Sequence, residues 1–113
     1  MVNVTTERID DVLSADVEGR IDGSNVVQFE EAVRTAIEDS DRAVIMDFEK
    51  LVYISSAGLR AILLTAKSLQ NRDAKLLLCS LSDRIREVFE ISGFDKILPI
   101  HPSKAEALDS LNR

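Results

Sequence analysis

Few residues in this chain are of a type and spacing that suits chemistry. The segment Ser55-Ser56-Ala57-Gly58-Leu59 places two hydroxyls and a glycine directly ahead of an apolar helical stripe. A helix start leaves free backbone N–H groups and partial positive charge, so a serine there accepts added negative charge. Small neighbours let another protein's backbone approach. Those features suit a phosphorylation site read by a docking partner. They equally suit a plain N-cap at Ser56, with Gly58 permitting close helix–strand packing.

Other constellations are thin. The single histidine, His101, lies beside Pro102 at a strand-to-helix turn, and the single cysteine, Cys79, closes the apolar run Leu76-Leu77-Leu78. Cys79 reads as a small core hydrophobe. Zinc needs several Cys or His ligands, and this chain has two such residues, so no metal or other cofactor is expected. Glycines at 19, 23, 58 and 93 never cluster into a phosphate-cradling loop. Asp10-Asp11 and Glu30-Glu31 fall in a turn and on a solvated helix face, where acids are ordinary. A serine nucleophile in the Ser56 loop needs a nearby base that the sequence does not supply. The chain is expected not to be an enzyme.

Composition narrows the partners. Twenty acids against fourteen bases give a net charge of −6, and the aromatics are four Phe and one Tyr. An acidic surface repels phosphate backbones and anionic lipid heads, and bases lack aromatic platforms to stack on. Nucleic acid and membrane are therefore poor partners, and a protein with a basic patch is a better one, although on charge alone the acidity equally serves solubility. No run reaches the ~18 apolar residues of a membrane span, and the start of the chain does not resemble a signal peptide, so a cytoplasmic location is expected. The 113 residues fit a single domain over 1–113.

The elements that must position Ser56 follow from periodicity. Val2 to Ile9 alternates weakly. Val12 to Ile21 sets Leu13, Ala15 and Val17 on one face, with Ser14, Asp16 and Glu18 on the other, so the two segments predict a hairpin turning at Asp10-Asp11. Asp22-Gly23-Ser24 breaks the strand and starts a helix whose stripe is Val26, Phe29, Val33 and Ile37. Ala43 to Phe48 is a buried-strand run, and a second helical stripe holds Leu59, Ile62, Leu63, Ala66 and Leu69. Lys75 to Ser80 predicts another strand. Ser82-Asp83 caps a third helix, with Gly93 in a left-handed position after it and Phe94 packing back. Ile97 to Ile100 predicts a short edge strand, and Ser103 to Glu106 a capping box for a last helix. The order β-β-α-β-α-β-α-β-α predicts an α/β fold, a single mixed sheet opened by a hairpin with helices packed on it.

Three stretches in register resemble the STAS family in its stand-alone form, the bacterial anti-anti-sigma factor (anti-sigma factor antagonist). They are Gly19-Arg20-Ile21-Asp22 before the Phe29 helix, the block Asp47 to Leu59, and Leu78 to Ser82 followed by Val88 to Phe94. The resemblance implies a STAS fold over nearly the whole length. It also implies an anti-sigma factor partner that is an ATP-binding serine kinase of histidine-kinase-like fold. The unphosphorylated form sequesters that partner, phosphorylation of one serine releases it, and a metal-dependent serine phosphatase resets the switch. The matching serine lies two residues before the glycine of the Gly-Leu pair, which here is Ser56. The partner-facing surface then comprises Asp22, Ser24, Ser55, Ser56, Ala57, Gly58 and Leu59. One departure stands out: many members carry an acid immediately before the phosphoacceptor, where this chain has Ser55. A STAS scaffold or ligand-binding subunit of another signalling or lipid-transport assembly is the alternative.

Overall fold

The computed structural model describes residues 1–112. Asp10 and Asp11 join two strands whose last and first residues, Ile9 and Val12, are Cα partners. Asp10 takes φ 56° there, a left-handed conformation that a short acid tolerates. The turn produces the expected antiparallel hairpin of β1 (Val2–Ile9) and β2 (Val12–Ile21).

Beyond β2 come α1 (Val26–Ala36), β3 (Ala43–Asp47), β4 (Leu51–Ile54), α2 (Ser56–Gln70), β5 (Lys75–Cys79), α3 (Asp83–Ile91), a 3₁₀ turn at Phe94–Lys96, β6 (Ile100–His101) and α4 (Lys104–Ser110). The six strands form one mixed sheet in the order β1-β2-β3-β5-β6, with β4 also paired to β2. Three local expectations hold at the helix ends, the capping box at Ser103 through its serine half. Ser82 Oγ accepts from the Ile85 N–H, Gly93 sits at φ 79°, and Ser103 Oγ accepts from the Glu106 N–H at 3.1 Å. Phe94 packs edge-on against Phe89, with centroids 6.4 Å apart.

β2 carries two partners in succession along one edge. Val12 to Asp16 pair with β3, and Gly19 to Ile21 pair with β4. The register shifts between Gly19 and Arg20, where Gly19 adopts φ +102° and a Cβ would collide with the Met1 carbonyl. Glycine is needed at this bulge both for its φ and for that close approach. β4 is absent from the order read in the sequence. Its four residues run buried, exposed, exposed, buried, which matches no strand period.

Two further expectations need correction. The segment Ile97 to Ile100 is not a strand; pairing is confined to Ile100–His101, and Pro99 serves only as an acceptor, its carbonyl taking the Leu78 N–H at 2.9 Å. Ser14, on the polar side of the β2 alternation with Asp16 and Glu18, is buried, being 1% exposed. α1, α2 and α3 cover one face of the sheet through Phe29, Val33, Leu59, Ile62, Ile85 and Phe89, while α4 covers the other through Ala107, against Val12, Ala43, Ile45, Leu77 and Cys79. Burial on both faces explains why β3 and β5 are almost uniformly apolar.

Candidate functional site

The C-terminal ends of β2 and β4 lie side by side, Ile21 opposite Ile54, and the Ile21 carbonyl accepts the Ser55 N–H at 2.9 Å. That bond anchors the chain where it leaves the sheet and enters α2. Ser55 is extended (φ −89°, ψ 173°), and its Oγ accepts the Gly58 N–H at 3.2 Å. Ser55 is thus the N-cap, which corrects the reading of Ser56 as a mere cap. Ser56 is the first helical residue, it is exposed, and its hydroxyl has no hydrogen-bond partner among the described residues. Ser55 is a competent cap because its hydroxyl supplies a side-chain oxygen to the first turn.

Gly58 lets the first turn of α2 sit against the sheet. A Cβ there would lie 2.7 Å from Ile54 Cγ1 and 2.9 Å from Ile21 Cγ2. Gly58 and Leu59 are both buried, so they support the loop from beneath, and the Leu59 side chain does not face solvent. Ala57 is half-buried.

The neighbouring turn follows Ile21 directly. Asp22 accepts hydrogen bonds from the Ser24 hydroxyl and, at 2.9 Å, the Ser24 N–H, and these hold its carboxyl below the usual carboxylate range. Asn25, only 6% exposed, is the residue before α1 but makes no capping bond. Its Oδ1 accepts the Asp22 N–H and its Nδ2 donates to the Arg20 carbonyl, so it braces the turn instead. The structure therefore brings Asp22, Ser24, Ser55 and Ser56 to one end of the β2–β4 pair. Sequence reasoning missed Asn25, and also the Arg20 guanidinium stacked 4.3 Å over the Tyr53 ring on the adjacent strand. It missed the exposed apolar side chains of Val27 and Val52 on the elements flanking the loop as well, at 68% and 59% exposure. A single exposed valine carries no signal in a sequence, because only the fold decides which face is wet.

The arrangement can present a hydroxyl to another molecule, but among the described residues no base is hydrogen-bonded to Ser56. The fold does bring the lone His and the lone Cys together, His101 being the Cα partner of Cys79 across β5 and β6. Burial pushes the Cys79 thiol up to about 11, the opposite of an activated nucleophile. Among the described residues no group of three or more His, Cys, Asp or Glu is placed to hold a metal ion, and no helix is long and apolar enough to cross a membrane.

Comparison with known proteins adds to this geometry. The family model described as the STAS domain matches residues 3–107. A Bordetella bronchiseptica protein provisionally named as the anti-sigma factor antagonist BtrV is 41% identical over 106 residues, 94% of this chain and 91% of that protein. The anti-sigma-B factor antagonist of Staphylococcus aureus is 29% identical over 100 residues, 88% of this chain and 93% of its own. The anti-sigma factor antagonist SpoIIAA in its unphosphorylated form superposes with a TM-score of 0.83 at 23% identity, covering 97% of this chain and 96% of the other, a likeness of fold. The same Bacillus protein in its phosphorylated form gives a TM-score of 0.74, covering 96% and 99%.

Proposed function

The chain belongs to the STAS domain family, and from that premise we propose that it is an anti-sigma factor antagonist switched by phosphorylation of Ser56. The observation that carries the proposal is the division of labour between the two serines. Ser55 is consumed by the helix cap, while Ser56 stands exposed at the first helical position with a free hydroxyl. Relatives named as anti-sigma factor antagonists, at 41% and 29% identity over most of the chain, support the class of partner.

In this reading the protein is non-enzymatic, acts in the cytoplasm and forms one STAS domain over 1–113. Unphosphorylated, it docks through Asp22, Ser24 and the Ser55–Ala57 loop on an anti-sigma factor that is also an ATP-binding serine kinase. Gly58 and Leu59 set the height of the loop from below. The kinase transfers the γ-phosphoryl of ATP to Ser56 Oγ, and a metal-dependent phosphatase removes it by hydrolysis. The phosphate adds about −1.5 to −2 charges at pH 7. On the free protein that charge stays in water beside the first N–H groups of α2 and is tolerated. In a docked complex it must shed water without an arranged partner, which costs several kcal/mol.

Capture of partners from the native cell, with phosphosite mapping, tests the first half; phosphate found at Ser55 or outside this loop removes the site. Calorimetry with the captured kinase tests the second. Phosphoserine at position 56 is expected to weaken binding by at least ~100-fold, about 2.7 kcal/mol, at unchanged melting temperature. Ser56→Ala should bind normally and ignore ATP. Equal affinity of the phosphorylated and unmodified forms removes the switch.

A further inference from the structure

Between Lys50 and Lys67 the sequence holds a single Asp, Glu, Lys, Arg or His, and it is Arg60. Charged residues make up 30% of the chain, so the loop and the first turns of α2 are depleted of charge, and a cation standing alone within them is not generic helix surface. Arg60 is exposed and makes no hydrogen bond or ion pair among the described residues. Arg8, Arg42 and Arg72, by contrast, are all committed to carboxylates or carbonyls.

Arg60 follows Ser56 by four residues on α2. Side chains at that spacing lie one above the other, with Cβ atoms about 5–6 Å apart. Helical side chains also lean toward the helix start, which aims the guanidinium back along the row at Ser56. The other residues at helical contact spacing from Arg60 are Ala57, Leu63 and Leu64, all apolar. The Ser56 hydroxyl is the one polar side chain among these four.

A neutral hydroxyl offers a guanidinium little. A phosphoryl group on the same oxygen offers a nearly dianionic, three-oxygen face that matches the planar guanidinium fork. The surroundings favour this direction. Asp22, on the turn beside the loop, repels a phosphate, and Arg20 is occupied on the Tyr53 ring. We infer that Arg60 is the internal ligand of the phosphoserine, closing on the phosphate along the helix once Ser56 is modified. The inference rests on the reading of Ser56 as phosphoacceptor. It makes Arg60 a positioning residue that sets the orientation and ionisation of the phosphate.

The test uses the full chain with phosphoserine incorporated at position 56 during translation, so no kinase is needed, and follows the phosphate by phosphorus NMR across pH. The second phosphate pKa, ordinarily about 6, is expected to be lower by about 0.15–0.4 than in the Arg60→Gln protein. Arg60→Lys should fall between them. The difference should shrink as salt is raised to about 1 M. Glutamine keeps helix propensity and length, and a circular dichroism melt verifies that the variant folds. The same pKa in both proteins at low salt overturns the inference while leaving Ser56 as acceptor untouched. Phosphate found elsewhere in the cellular protein removes the acceptor reading and leaves the titration result standing.

Discussion

At the start of β2, charge is locked into hydrogen bonds; at its end, a hydroxyl and a cation stand unpaired among the described residues. Arg8 reaches the fully buried carboxylate of Asp41 through Nε at 2.8 Å and Nη2 at 2.7 Å, and the Glu38 N–H donates to the same group. Arg72 donates to the carbonyls of Glu38, Asp39 and Asp41. This corner ties β1, the α1–β3 loop and the end of α2 together, and leaves a partner little to read. The Ser56 end has the reverse character: its hydrogen bonds shape the backbone through Ser55 and Asn25 while the exposed hydroxyl remains free. Within one small fold, satisfied polar groups hold shape and unsatisfied exposed ones are available for recognition.

The comparison breaks most visibly at the locked corner. Asp41→Ala is expected to cost about 2–4 kcal/mol in chemical denaturation, because it removes two Arg8 hydrogen bonds and strands the Glu38 N–H, yet to leave partner affinity per folded molecule unchanged. The Arg8 hydrogen bond, opposed by burial and helped by the Glu38 N–H, holds the Asp41 carboxyl below its usual range. Its folded pKa is depressed, so its contribution is complete above the unfolded value of about 4 and disappears as pH falls through the lower folded value. Wild-type stability should therefore fall more steeply than that of Asp41→Asn below about pH 4.

At the other end of β2, Gly58→Ala sharpens the contrast by testing shape without charge. The new methyl must push Ile54 and Ile21, and a loss of about 1–3 kcal/mol is expected, with weakened partner binding as the loop lifts. Wild-type stability for this variant refutes the packing role given to Gly58. Ser55→Ala removes only the cap and should cost about 1 kcal/mol, whereas Ser55→Asp, which keeps a capping oxygen, should stay close to wild type. Thermal melts distinguish these. The smallest stability effect is expected for Asp22→Ala, a partly exposed side chain bonded within its own turn. It should melt close to wild type while binding the partner more weakly; a large drop in melting temperature with intact binding reverses its assignment.

Much of the scaffold was legible because its signals are local. Ser82, Gly93 and Ser103 act within about one helical turn of themselves, and the hairpin needs only Asp10-Asp11 between two alternating runs. The Ser56 loop was legible in outline for the same reason, since small residues ahead of an apolar stripe mark a helix start. Which serine caps was not legible. Ser55 and Ser56 are both competent caps, and the bond from Ser55 N–H to Ile21, on a strand that pairs far back in the chain, decides between them.

By itself, then, the sequence determined the four helices, the hairpin, β3 and β5, the acidic composition and the loop in which Ser56 lies, all through composition and short-range spacing. Tertiary structure decided the rest. It inserted β4 beside β2 through the Gly19 bulge, put α4 on the far face, and buried Ser14 on the polar side of its strand's alternation. It also joined Arg8 to Asp41 across 33 residues. These outcomes depend on which faces meet when the sheet closes, and no residue's near neighbours along the chain contain that information.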